Sequence, residues 1–196
     1  MSTFAFYADA ALTTPLVTLT TQHLTDASTD PIDAQVWIGS TASGKQLRAA
    51  SNPGVDQITL TILQKIAAWS AAAAVSAGAL RRPTTTNNRV YQAGGSGTTG
   101  ATEPTWPTTI GATVADNGIT WTCLAYEDTP NEVKLATTQA GLAAATPGAG
   151  LNLGTTLLSG VGNATPVWLR VTNTDADIRD QTHLRPQVNP LREDAV

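Results

Sequence analysis

The chain has 196 residues, with 11 Lys or Arg against 15 Asp or Glu and a net charge of −4. It therefore lacks the clustered basic footprint of a nucleic-acid binder. Charged residues make up 13%, against the roughly 25% usual in soluble domains, and Thr, Ala, Ser and Gly take their place. The length suits one or two domains with a real core, and the single cysteine, Cys123, excludes an internal disulfide.

The start, Met1 to Asp9, has no basic stretch followed by an apolar one, so no secretory signal is expected. Leu16–Thr21 and Ala34–Ile38 are short strand candidates, and Ile58-Thr-Leu60-Thr-Ile62 alternates as a half-buried strand does. Asp30-Pro31, Gly39-Ser40 and Asn52-Pro53-Gly54 supply turns between them. Residues 64–80 are Ala-rich with high helix propensity, yet lie between strand-like neighbours and are followed by Pro83; a short helix and an extended segment both fit. Their apolar run, Ile66–Leu80, is broken by Ser70, Ser76 and Gly78 and is shorter than the ~20 residues a bilayer requires, so no membrane insertion is expected. Residues 93–102 read as a Gly/Ser/Thr loop. Residues 141–163 read as another, with short strands at Leu151, Leu153, Leu157 and Leu158 and a bulge or bend at Gly154. Val167–Thr172 alternates again, with Val167, Leu169 and Val171 on one face and Trp168, Arg170 and Thr172 on the other. The end, 179–196, has two prolines, mixed charge and little periodicity. It reads as an extended arm that orders on its own sheet or on a neighbouring subunit.

The pattern predicts a mainly β chain. A discontinuous β-sandwich-like domain, 1–66 plus 124–178, carries an inserted small β module, 67–123, and an extended C-terminal arm, 179–196.

Within 69–123, Trp, Gly and Pro recur in a fixed order: Trp69, Gly78, Pro83, Asn88, Tyr91, Gly100, Glu103-Pro104-Thr105-Trp106-Pro107, Gly111, Val114, Asp116 and Trp121. This ordered set resembles a short β module of tailed-bacteriophage structural proteins, some of whose relatives are carbohydrate-binding-like. Three positions depart from the pattern. No aromatic lies between Trp69 and Gly78, Ala79 stands where an Asp is usual, and Asn117 separates Asp116 from Gly118. Asn52–Leu60 and Pro166–Val171 are similar to small virion proteins encoded among tail genes. The resemblance implies a non-enzymatic, multi-copy component of the tail, baseplate or neck. It would be made in the host cytoplasm, with other virion proteins and copies of itself as partners and no cofactor. A receptor-facing glycan binder and a capsid decoration or fibre-attachment protein are the alternatives.

Tyr91, Trp106 and Trp121 form either a platform for the apolar face of a sugar, with Glu103, Asn88 and Asp116 to bond its hydroxyls, or the core of the module itself. Glu103 also suits turn amides. Gly94-Gly-Ser-Gly97 lacks the Lys and helix of a phosphate loop. His23 and His183 have no metal-ligand spacing. Asp175, Asp177 and Asp180 suit a solvated turn or a weak cation site, without the Gly and distal Glu of a calcium loop. Glu127 and Asp128 read as acidic loop residues, with a hydrolase carboxylate pair as the alternative. Cys123 reads as a small buried hydrophobe, because no activating partner is near it in sequence.

Overall fold

A computed structural model describes residues 2–22, 31–173 and 182–196. His23, Asp175, Asp177 and Asp180 lie outside them. In chain order the strands are β1 (Ala5–Tyr7), β2 (Ile32–Gly39), β3 (Lys45–Ala49), β4 (Thr59–Gln64), β5 (Ala74–Val75), β6 (Leu80–Arg81), β7 (Arg89–Ala93), β8 (Gly97–Thr98), β9 (Thr113–Asp116), β10 (Ile119–Tyr126), β11 (Val133–Ala136), β12 (Leu151–Asn152), β13 (Thr156–Leu158), β14 (Thr165–Val171), β15 (Leu184–Val188) and β16 (Leu191–Ala195). Short 3₁₀ turns occupy Pro130–Glu132, Ala140–Ala143 and Val161–Asn163, and the described residues contain no α-helix. The fold is mainly β, sandwich-like, as the alternation predicts. The described chain divides into two compact units, a larger one of 2–22, 31–63, 129–173 and 185–196, and a smaller one of Gln64–Asp128 with 182–184.

The larger unit holds antiparallel sheets ordered β1-β2-β14-β11, β12-β4-β15 and β13-β3-β16. Val36 lies opposite Val167, and Leu169 opposite both Ala34 and Leu135. This register puts Val36, Leu135, Val167 and Leu169 into the core, with Ile58, Leu60 and Ile62 of the β4 region. On the other face of the same pairing, Arg170 sits opposite Asp33 and grips both of its carboxylate oxygens, at 2.7 and 2.8 Å. Such a two-pronged contact fixes geometry as well as adding energy. The bond from Arg170 outweighs burial and holds the Asp33 carboxyl below its ordinary value of 3.8.

The C-terminal residues are ordered on their own unit. β15 borders β4, and β16 borders β3 with Arg192 opposite Arg48. Asp194 lies 2.6 Å from each of those arginines and offsets their like charge. Glu193 reaches the other way, accepting bonds from Ser2 Oγ (3.0 Å), Thr3 N (2.7 Å) and Thr3 Oγ1 (3.2 Å). Leu16–Thr21 forms no strand. Pro15 makes an isolated bridge to Tyr7 and Leu16 bonds Phe6 O, but the ladder stops there.

The smaller unit is built on the sheet β6-β7-β10-β9, with β5-β8 beside it. Residues 64–80 are extended here, not helical. Trp69 bonds Arg82 O, Ala72 bonds Gly100 O, and Val75 pairs with Gly97. These contacts outbid the helix propensity of the Ala run. Asn117 and Gly118, with φ of 46° and 88°, close the β9–β10 hairpin as a two-residue turn. Positive φ at both positions matches the type I′ turn that strand twist favours. The alternation of β10 drives Ile119, Trp121 and Cys123 inward, against Val75, Tyr91 and Ala93. Leu124 is the extra residue where the pairing of β10 with β7 shifts register.

Leu60, the second residue of β4, is 1% exposed. Replacing it by Ala is expected to lower stability by about 2–5 kcal/mol, read as a shift of the urea midpoint at constant slope.

Candidate functional site

The smaller unit is tied by polar clasps that each join segments distant in sequence. The innermost is Asp116, at the end of β9 and 5% exposed. Its Oδ2 accepts the indole N–H of Trp69 at 2.8 Å and that of Trp121 at 3.1 Å, while Oδ1 accepts Gly100 N–H at 2.7 Å. A Cβ at position 100 would meet Asp116 Oδ1 at 2.8 Å, so a side chain there would push the carboxylate from its place. Thr99, next to it, donates to Ser70 O at 2.6 Å and accepts Ala73 N–H at 2.8 Å. The Gly/Ser/Thr stretch is thus pinned at its centre.

The second clasp surrounds Tyr91, whose ring is fully buried. Its hydroxyl donates to Pro107 O and accepts Asn87 Nδ2–H, both at 2.7 Å. The third is Glu103. Its carboxylate accepts Thr84 N–H at 2.8 Å, the Thr84 hydroxyl, and Trp106 Nε1–H at 2.8 Å. Burial alone would raise the Glu103 carboxyl, but these bonds outweigh it and hold it below its ordinary value of 4.5. Trp106, so oriented, lies against Tyr91 with ring centres 4.3 Å apart, and at 5.7 Å from Trp121 in an edge-on arrangement. It is the half-buried outer member of that aromatic group.

Trp106 and Glu103 line a shallow hollow of about 310 Å³ together with Pro83, Thr84, Thr85, Asn87, Pro104 and Thr105. Asn87 Oδ1 is buried there without a hydrogen-bond partner. Of the six residues singled out from sequence, the fold brings Trp106 and Glu103 together at this surface. Tyr91 and Trp121 are 0% exposed and offer no ring face to a ligand. Asp116 is enclosed with its three donors. Asn88 is exposed, with φ of 62°, and does not line the hollow; its N–H bonds Thr86 Oγ1. Sequence reading gave Pro83 only a place in the motif and passed over Asn87, Thr84 and Thr85. The one available signal was their position between Arg82 and Tyr91, where the motif allows a surface turn.

Glu127 and Asp128 are buried, and neither lines the hollow. Glu127 accepts the Thr86 hydroxyl and Gln64 Nε2–H (3.3 Å) and lies 3.6 Å from Arg82 Nε. Asp128 Oδ2 lies 3.2 Å from His183 Nδ1, which also receives Asp128 N–H at 3.3 Å. His183 is therefore a packing residue of this cluster. Cys123 is buried, and burial pushes its thiol above the ordinary 9.0, the setting of an inert cysteine. Among the described residues no group of His, Cys, Asp or Glu is arranged to hold a metal ion.

Asp116→Ala leaves two indole N–H groups and an amide without their acceptor. A loss of about 3 kcal/mol or more is expected, reported by tryptophan fluorescence during unfolding. Glu103 gives a pH signature. A carboxyl held below its unfolded value contributes stability above that value, and the contribution is lost as pH falls through the folded one. The thermal midpoint is expected to fall below pH 4.5 more steeply in the natural chain than in Glu103→Gln.

Compared with protein-family models, with curated proteins and with solved structures, the chain matches none.

Proposed function

We propose that this chain is a non-enzymatic structural component of a tailed-phage particle, in the tail, baseplate or neck. It is built in through contacts with other virion proteins and with copies of itself. One observation carries this. Eight of the residues by which 69–123 resembles the phage module hold the smaller unit together: Trp69, Gly100, Asp116 and Trp121 meet in one clasp, and Tyr91, Glu103, Trp106 and Pro107 in the adjoining pair. A motif whose members converge in space is a folded unit rather than a coincidence of composition. Open sheet borders such as β9 and β13 offer backbone groups for a neighbour to complete. Rings are the closed product of such contacts when they are heterologous.

The test is gold-labelled antibody against the purified chain, applied to tailed particles whose genome encodes it, with mass spectrometry of the same particles. Label at the tail or neck is the expected result. Label over the capsid faces or vertices would favour the decoration role instead, and absence of the chain from purified particles would reject both.

The hollow favours a second reading, a receptor-facing glycan site. Trp106 supplies an aromatic ring, and Thr84, Thr85, Thr105 and Asn87 supply hydroxyl and amide groups suited to sugar hydroxyls. Trp106→Ala would disturb the packing on Tyr91, so the better probe is Thr105→Arg, at an exposed position on the rim. On a glycan array the intact chain is expected to bind and this variant to lose binding while keeping its near-ultraviolet dichroism. An intact chain that binds no sugar removes this reading.

A further inference from the structure

We propose that Asn117 is a site of spontaneous covalent modification whose main-chain-altering product opens the Asp116 clasp. Asn117-Gly118 is the one place in the sequence where Asn precedes Gly. Asn52 and Asn189 precede Pro, which has no N–H, and every other Asn precedes a residue whose Cβ shields the following nitrogen. Both turn residues are exposed. They close β9, a four-residue strand at the border of its sheet, where local opening costs far less than global unfolding.

During such an opening the Gly118 backbone nitrogen attacks Asn117 Cγ. A C–N bond forms, a five-membered imide closes, and the side-chain nitrogen leaves as ammonia with the displaced proton. Water then adds to one of the two ring carbonyls and the ring C–N bond there breaks. Opening at the side-chain carbonyl gives aspartate. Opening at the main-chain carbonyl gives an isoaspartyl link, in which the chain runs through the former side chain and is longer by one methylene.

The geometry gives this product a consequence. The turn has two residues, and Ile119 pairs directly with Asp116. An added backbone atom between them breaks that register, because a two-residue I′ turn has no slack to absorb it. Both products also lose the bond from Asn117 Nδ2 to Thr98 O (3.1 Å) and place a second carboxylate beside Asp116. The Asp116 oxygens are then drawn away from Trp69, Trp121 and Gly100.

The test ages the purified full chain at mildly alkaline pH. Peptide mass spectrometry and labelling by an isoaspartyl methyltransferase follow position 117, and near-ultraviolet dichroism follows the tryptophans. Asn117→Gly, which keeps a turn tolerant of positive φ and has no amide to lose, is the control. Expected are conversion at 117 ahead of every other Asn and a tryptophan signal that fades in step, with neither change in the control. The proposal is overturned by a folded chain that stays unmodified while the urea-unfolded chain converts. It is equally overturned by fully isoaspartyl protein that keeps the native tryptophan signal.

Discussion

A carboxylate removed from water has to be compensated, and in the smaller unit that requirement falls on Asp116. Burying an ion costs several kcal/mol unless its oxygens find donors of good geometry. Three N–H groups meet the need, and they come from three separate places: the stretch before β5, the Gly/Ser/Thr segment, and β10. The clasp therefore forms only when all three have arrived in register. A unit this small buries limited apolar area, so a contact with that all-or-none character does more to define one structure than another methyl group would. It also dictates composition. A Cβ at position 100 would push against Asp116 Oδ1, and positions 69 and 121 need a large apolar body with an N–H at its edge, a description only Trp meets.

The same economy governs the larger unit. With charged residues at 13%, several of the charges described brace the chain. Asp33 and Arg170 lock the β2–β14 pairing, Asp194 joins two arginines across β3 and β16, and Glu193 holds Ser2 and Thr3. What remains outside is rich in Thr, Ser and Ala. Under the proposed role in a particle such a surface is apt, because contacts form without stripping water from many ions.

The strands that alternation reveals are those with neighbours on both sides and one buried face; the edge strands β12 and β13 show in sequence only as scattered leucines, Leu151, Leu157 and Leu158. β4, β14 and β2 alternate because their registers put every second residue into the core. The short candidate Leu16–Thr21 forms no strand. There Asp9 holds the amides of Thr13 and Thr14 and Leu12 takes a φ of 55°, so the chain turns back on β1 and pairs only at Pro15. Composition marks a segment able to pair, and the local turn still decides how far the pairing runs. The C-terminal strands hide for the opposite reason. β15 and β16 each have a neighbour on one side only, so Pro186 and the charged run Arg192-Glu193-Asp194 are tolerated where a central strand would reject them.

The candidate site was legible in its chemistry and not in its facing. Composition announces aromatic rings and carboxylates within 69–123, but burial is decided by which polar tips find partners inside. Tyr91 can go under because Pro107 O and Asn87 take its hydroxyl, and Trp121 can because Asp116 takes its N–H. Trp106 finds its partner at the surface, in Glu103, and stays at the rim. That choice limits what the hollow can do. Both Glu103 oxygens are engaged by Thr84 and Trp106, so a ligand hydroxyl gains little from the carboxylate unless it displaces one of them. A neutral polyol would instead meet Trp106 and the hydroxyls of Thr85 and Thr105. Recognition built from those groups depends on shape and on many weak contacts, so strong binding by this surface would come from several copies acting together, the arrangement a multi-copy particle supplies.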